Sequence, residues 1–263
     1  MTGGINMAQI HCNFYSYSLG YPVDIEVTVP SFTSCNLHLP HTHALSGKFP
    51  VLYLLHGHGN DYQAWLRYTS AERYAEEYRM AVVTFSCHNK AYQNAPLGEN
   101  FYDFLNEELP EFVENYFPIS GKAEERYIAG LSMGGYGALL HGLTNPGKYS
   151  AIGAFSPGIP AENADPDLNR IARANLYDVT RKALASGEKL PDLFMCIGDG
   201  DFLYERVTSY RKAFLDQWTA SRCRYDDIPG YEHEFSFWDK ELEAFLEWIR
   251  REDVYSQMGR NKV

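Results

Sequence analysis

Five near-continuous apolar runs constrain this chain most: FPVLYLLHG (49–57), MAVVTFS (80–86), RYIAGLS (126–132), YSAIGAFSP (149–157) and LFMCIGD (193–199). Each is short, and each ends at Gly, Ser, Pro or Asp. Strands buried on both faces of a parallel sheet read this way, because neither face meets water and no polar residue alternates in. VDIEVTVP (23–30) does alternate, which suits a half-exposed strand near an edge.

Amphipathic segments separate these runs. TSAERYAEEYRM (69–80) sets Glu72 three residues after Thr69, the spacing of a capping box. DFLNEELPEFVENYF (103–117) keeps Phe104, Leu105, Leu109, Phe112 and Val113 on one face, with Pro110 expected to kink the helix or mark its start. Further helices are expected over 133–145, 204–218 and 238–252. In the last, Trp238, Leu242, Phe245, Leu246 and Ile249 hold helical spacing. Repeated β–α–β units imply an α/β fold, a mostly parallel sheet with helices on both faces. With 263 residues and no repeat or long linker, residues 1–263 read as one domain, with a short insertion around 159–190. Ligands of such sheets sit at the carboxyl ends of the strands.

A net charge of −11 without a basic block argues against nucleic acid or an anionic membrane surface as partner. No apolar run reaches the ~20 residues of a membrane span. The N-terminal MTGGINMAQIHCNFY has neither the basic nor the apolar part of a secretory signal. Cys12, Cys35, Cys87, Cys196 and Cys223 are odd in number and scattered, as expected of reduced thiols in a cytoplasm. Nothing bars a homo-oligomer.

The run at 126–132 ends in Gly130-Leu131-Ser132-Met133-Gly134, a G-x-S-x-G between a strand and a helix. A nucleophile elbow needs small residues on either side of the serine, because the turn is strained and strand and helix approach closely. A serine hydroxyl needs a base, and the base an orienting acid, in the chain order Ser, acid, His. After Ser132 only His141 and His233 remain. His141 falls within the helix after the elbow and reads as structural. His233 lies in a loop before the last helix, where a base belongs. Asp199 and Asp201 both follow the strand LFMCI; Asp201 is preferred as the acid, with Asp199 left to cap a helix or hold the loop. The oxyanion needs two backbone N–H donors, expected from Met133 and from His58 in HGHGND (56–61), which resembles an HGGG-type loop. His56 is expected to tie that loop down. Trp65, Tyr92, Phe101 and Tyr102 are the aromatics expected to line the site. His38, His41 and His43 read as a polar loop rather than a metal site.

Together VLYLLHGHGNDYQAW, FLNEELPEFVENYFPIS, YIAGLSMGGYGALL, GDGDFLYE and GYEHEFSFWDKELEAFLEWI resemble the putative-esterase family of α/β-hydrolases. That family includes esterase D (S-formylglutathione hydrolase), tributyrin esterases, and feruloyl and acetyl-xylan esterases. The resemblance runs from about Tyr15 to Trp248. It implies an α/β-hydrolase fold with Ser132 as nucleophile, Asp201 as acid, His233 as base, and His58 and Met133 as amide donors. It implies no cofactor and no metal. Departures fall at His58, where the family has an apolar or small residue, and at SCHNKAYQN (86–94).

The expected function is a serine carboxylesterase acting on small-molecule esters of short acyl chains. The segment 158–190 is too polar to shelter a long chain. The alternatives are an S-formylglutathione hydrolase or feruloyl/acetyl-xylan-type esterase on the same fold, a hydrolase-fold binding protein without turnover, and a metal-dependent hydrolase using Asp199 and Asp201.

Overall fold

The computed structural model describes residues 8–31, 43–96, 98–164, 174–219 and 221–260. The strands are β1 (Ala8–Ser16), β2 (Tyr21–Val29), β3 (Val51–Leu55), β4 (Ala81–Phe85), the short pair β5 (Asn94–Ala95) and β6 (Gly98–Asn100), β7 (Arg126–Leu131), β8 (Ala151–Phe155), β9 (Asp192–Gly198) and β10 (Cys223–Ile228). The helices are α1 (Ala64–Tyr68), α2 (Ala71–Tyr78), α3 (Phe101–Asp103), α4 (Leu109–Tyr116), α5 (Met133–Thr144), α6 (Leu176–Ala185), α7 (Tyr204–Phe214) and α8 (Phe235–Trp248).

Eight strands form one sheet in the order β1-β2-β4-β3-β7-β8-β9-β10. β2 runs antiparallel to β1 and β4, and the six strands from β4 to β10 are parallel. From β3 the chain first steps outward to β4, then returns to place β7 on the other side of β3. That reversal makes the β3–β7 crevice the switch point, where ligands of open α/β sheets bind.

The apolar runs are the buried central strands, and alternation along them feeds two cores. Val51, Tyr53 and Leu55 of β3 face Leu109, Val113, Tyr136, Leu139, Leu176 and Tyr210 of α4 to α7. Leu52 and Leu54 face Trp65, Tyr74, Phe237, Leu242 and Phe245 of α1, α2 and α8.

Two local expectations changed and one held. The capping box at Thr69 does not form: Thr69 Oγ1 donates to the Trp65 carbonyl and accepts from the Ala71 amide, so the chain turns once more before α2 begins. VDIEVTVP is β2, near the edge as expected, but β1 pairs outside it and Glu26 and Thr28 are buried, so the strand is not half-exposed. Pro110 marks the start of α4 as expected, and a π-helical turn over Phe104–Glu108 precedes it, accommodating the ladder where the proline offers no N–H. Residues 165–173, inside the expected insertion, lie outside the described residues, as do His38 and His41.

Candidate active site

β7 ends at Leu131 and α5 starts at Met133, leaving one residue for the turn. That residue, Ser132, takes φ 52° and ψ −114°, a strained conformation for a side chain with a Cβ. The turn is fixed from three directions. The Ser132 amide donates to the Phe155 carbonyl of β8 at 2.9 Å, and the Ser132 carbonyl accepts from Tyr136 and Gly158 at 3.0 and 2.8 Å. The glycines are steric requirements. A Cβ on Gly130 would stand 2.4 Å from the Gly134 carbonyl carbon, and one on Gly134 would stand 2.3 Å from the Leu55 oxygen. Ser132 therefore caps the N-terminus of a twelve-residue helix whose first amides, beginning with Met133, have no partner within the helix.

The loop after β3 closes the other side of the crevice. A Cβ on Gly57 would meet Leu131 at 2.4 Å and the Ser132 Cβ at 3.5 Å, so this backbone abuts the serine, and His58 follows it on the exposed side. His56 anchors the loop as expected. Its Nδ1 donates to the Gly57 carbonyl at 2.7 Å and its Nε2 accepts from the Cys87 amide at 3.0 Å, which fixes one neutral tautomer. Burial pulls its pKa down to about 4, outweighing the opposing effects of the Gly57 carbonyl and Asp61. Asn89 Oδ1 accepts from the Gly59 amide at 2.7 Å.

The aromatics expected to line the pocket are placed elsewhere. Trp65 is buried beneath this loop and donates its indole N–H to the Leu55 carbonyl at 2.9 Å. Tyr92 is buried too, and its hydroxyl donates to the His56 carbonyl at 2.9 Å. Both support the loop from below instead of facing a ligand, because a buried indole or phenol settles where its polar end finds a carbonyl. Phe101 is fully buried in the core. The Tyr102 hydroxyl pairs with Thr144 Oγ1 at 2.7 Å, at the last residue of α5, about 18 Å along the helix from Ser132. His141, structural as expected, donates from Nε2 to the Tyr92 carbonyl at 2.8 Å, and burial lowers its pKa to about 4.

The expected acid and base follow β9 and β10. Asp201, buried after β9, accepts from His233 Nδ1 at 2.8 Å through Oδ2 and from the Leu203 amide at 2.8 Å through Oδ1. Burial alone would push its carboxyl up, but bonds from His233, Leu203 and the Ser156 hydroxyl hold it below its ordinary value. Asp199 points elsewhere, its Oδ1 accepting from the Gly230 amide at 2.8 Å and so joining the two loops. Gly198 and Gly200 let the His233 loop close down: the Gly200 amide donates to the Tyr231 carbonyl at 3.0 Å, which a Cβ on Gly198 would approach to 2.3 Å. Among the described residues no group of three or more His, Cys, Asp or Glu side chains is arranged to hold a metal.

Two contributors went unread in the sequence. Ser156, at φ 43° beyond β8, accepts from Trp238 Nε1 at 3.1 Å, and Trp238 stands edge-on to His233. Ser156 ends its strand as Ser132 does, which is the only signal the sequence carried. Asn89 had none.

Comparison with known proteins gives a consistent relationship. The family model described as "Putative esterase" matches residues 29–249. An acetyl esterase of Caldicellulosiruptor saccharolyticus is 28% identical over 229 residues, covering 78% of this chain and 85% of its own. Among solved structures, the substrate-bound fluorophosphonate-binding serine hydrolase F of Staphylococcus aureus superposes with a TM-score of 0.80 at 28% identity, over 93% of this chain and 98% of that one. The S-formylglutathione hydrolase of Staphylococcus aureus gives 0.78 at 28% identity, over 93% and 99%.

Proposed function

Because the chain belongs to the putative-esterase family, an assignment that makes it an α/β-hydrolase and a carboxylesterase, we propose that Ser132, His233 and Asp201 hydrolyse small esters of short acyl chains through an acyl-enzyme. Ser132 Oγ attacks the ester carbonyl as His233 Nε2 takes its proton. The Met133 and His58 amides receive the charge that builds on the carbonyl oxygen. His233 then protonates the departing alcohol, and in the second half it deprotonates the water that releases the acid. Asp201 holds the imidazole with Nδ1–H toward the carboxylate, which leaves the Nε2 lone pair for the serine. The observation that carries this reading is the 2.8 Å bond between His233 Nδ1, in the loop after β10, and the buried Asp201 after β9, two strands over from strained Ser132.

The short-chain preference rests on α6, whose Leu176, Tyr177 and Ala183 are buried in the core while Val179 and Leu184 pack half-buried against it. Little apolar surface of this helix is left to cover a long acyl tail, and a methylene adds ~0.8 kcal/mol only where it is buried. A cytoplasmic setting is supported by free Cys87 and Cys196 in the core. Among the described residues no helix is long and apolar enough to cross a membrane.

The test is a series of p-nitrophenyl esters from acetate to decanoate, with S-formylglutathione alongside. We expect the maximum kcat/KM between acetate and butyrate, a single fluorophosphonate adduct at Ser132, and a fall in kcat on the order of 10⁴-fold in Ser132→Ala. A maximum at decanoate, or an adduct on another residue, overturns it.

A further inference from the structure

His233 touches two aromatic rings. Trp238, buried and held by Ser156, meets it at a centroid distance of 4.8 Å and an interplanar angle of 85°. Phe202 lies against it on the solvent side at 4.5 Å, with 75% of its own surface exposed. The contacts continue from Trp238 to Phe235 at 5.0 Å and from Phe235 to Tyr68 at 4.8 Å. Five rings thus run from the last residue of α1 to the residue beside Asp201, passing through the imidazole.

A single exposed apolar side chain needs no explanation. Phe202 differs because its uncovered ring stands beside the group that moves the proton. In the proposed reaction His233 Nε2 must come within about 3 Å of the alkoxy oxygen of the leaving group. Whatever that oxygen carries must then extend past the imidazole, and Phe202 is an apolar surface it meets there. Glu232 and Glu234, both exposed, flank His233 in the chain and disfavour an anionic leaving group.

We propose that Phe202 is the specificity-determining residue of a leaving-alcohol subsite, and that this subsite selects esters of neutral alcohols bearing an aromatic or similarly flat apolar group. The inference rests on His233 being the base. Offset or edge contacts between rings, together with the area they bury, are worth about tenfold in affinity. The gain is binding energy shared by ground and transition states, so it is read mainly in KM.

Methyl acetate and benzyl acetate test this, having the same acyl group and alcohols of nearly equal acidity. Wild type is expected to favour benzyl acetate by about tenfold in kcat/KM. Phe202→Ala should lose most of that margin through KM while methyl acetate stays within about twofold, and Phe202→Tyr, which keeps the ring, should retain it. No benzyl preference in wild type overturns the subsite. Equal losses on both esters in Phe202→Ala also overturn it, since Phe202 would then only brace the imidazole. Undiminished hydrolysis by Ser132→Ala would remove the underlying mechanism, and the subsite with it.

Discussion

Two aspartates separated by one glycine reach in different directions from the end of β9. Asp201 turns inward to His233, while Asp199 clasps the Gly230 amide across the loop. Their substitutions should separate accordingly. Asp201→Asn keeps the shape but removes the charge that fixes the imidazole tautomer, and kcat on p-nitrophenyl acetate is expected to fall by about 10³–10⁴-fold. Asp199→Asn retains an acceptor for Gly230 and should stay within about tenfold. The reverse ranking would exchange their roles. Chain order narrowed the candidate acid to Asp199 and Asp201 but could not choose between them on its own, and it is Asp201 that bonds His233 in the structure. Trp65 and Tyr92 could not be placed that way. Both lie next to the right loop in sequence, but which side of the backbone a ring takes depends on the carbonyls of Leu55 and His56 in three dimensions.

At the scale of elements, the elbow ties a strand, a helix and the neighbouring strand into one steric unit. Gly134 of α5 lies so close to β3 that an added methyl would meet the Leu55 oxygen at 2.3 Å, whereas one on Gly147 would meet nothing within 4 Å. Gly134→Ala should therefore cost 3 kcal/mol or more of stability or yield insoluble protein, and Gly147→Ala should stay within about 1 kcal/mol of wild type, read as urea midpoints. Equal midpoints would mean that α5 can withdraw from β3 freely. The central strands were legible because burial on both faces leaves an unbroken apolar signature. β1 went unread although it alternates, with Ile10, Cys12 and Phe14 turned to the core. β10 was not legible: CRYDDI is half polar because β10 closes the other edge, and tertiary pairing makes it a strand.

For the whole molecule, the buried Glu241 of α8 sets a pH dependence. Burial pushes its pKa up to about 7, and Asp226 adds to the rise, outweighing the attraction of Lys240 and Arg224. In the unfolded chain the same group titrates near 4.3. Between those values the folded state holds a proton that the unfolded state has lost, so stability is greatest below about pH 4.5 as far as this group is concerned and is lost as pH rises to about 7. Glu241→Gln should remove that loss. Relative to wild type it should gain on the order of 2–3 kcal/mol between pH 5 and pH 8, several degrees in Tm. A difference that does not change with pH would show that Glu241 is charged in the fold throughout.

The loop beside Ser132 is held from underneath, by Trp65 and Tyr92 on its carbonyls and by His56 within it, while His58 and Phe202 stand outermost. The proposed oxyanion donors are main-chain amides, and an amide is indifferent to the side chain it carries. Mutation can therefore rewrite the rim without disturbing the parts that make and break bonds. A lineage built this way can explore new esters by drift at a few outward positions, keeping a working enzyme at every step.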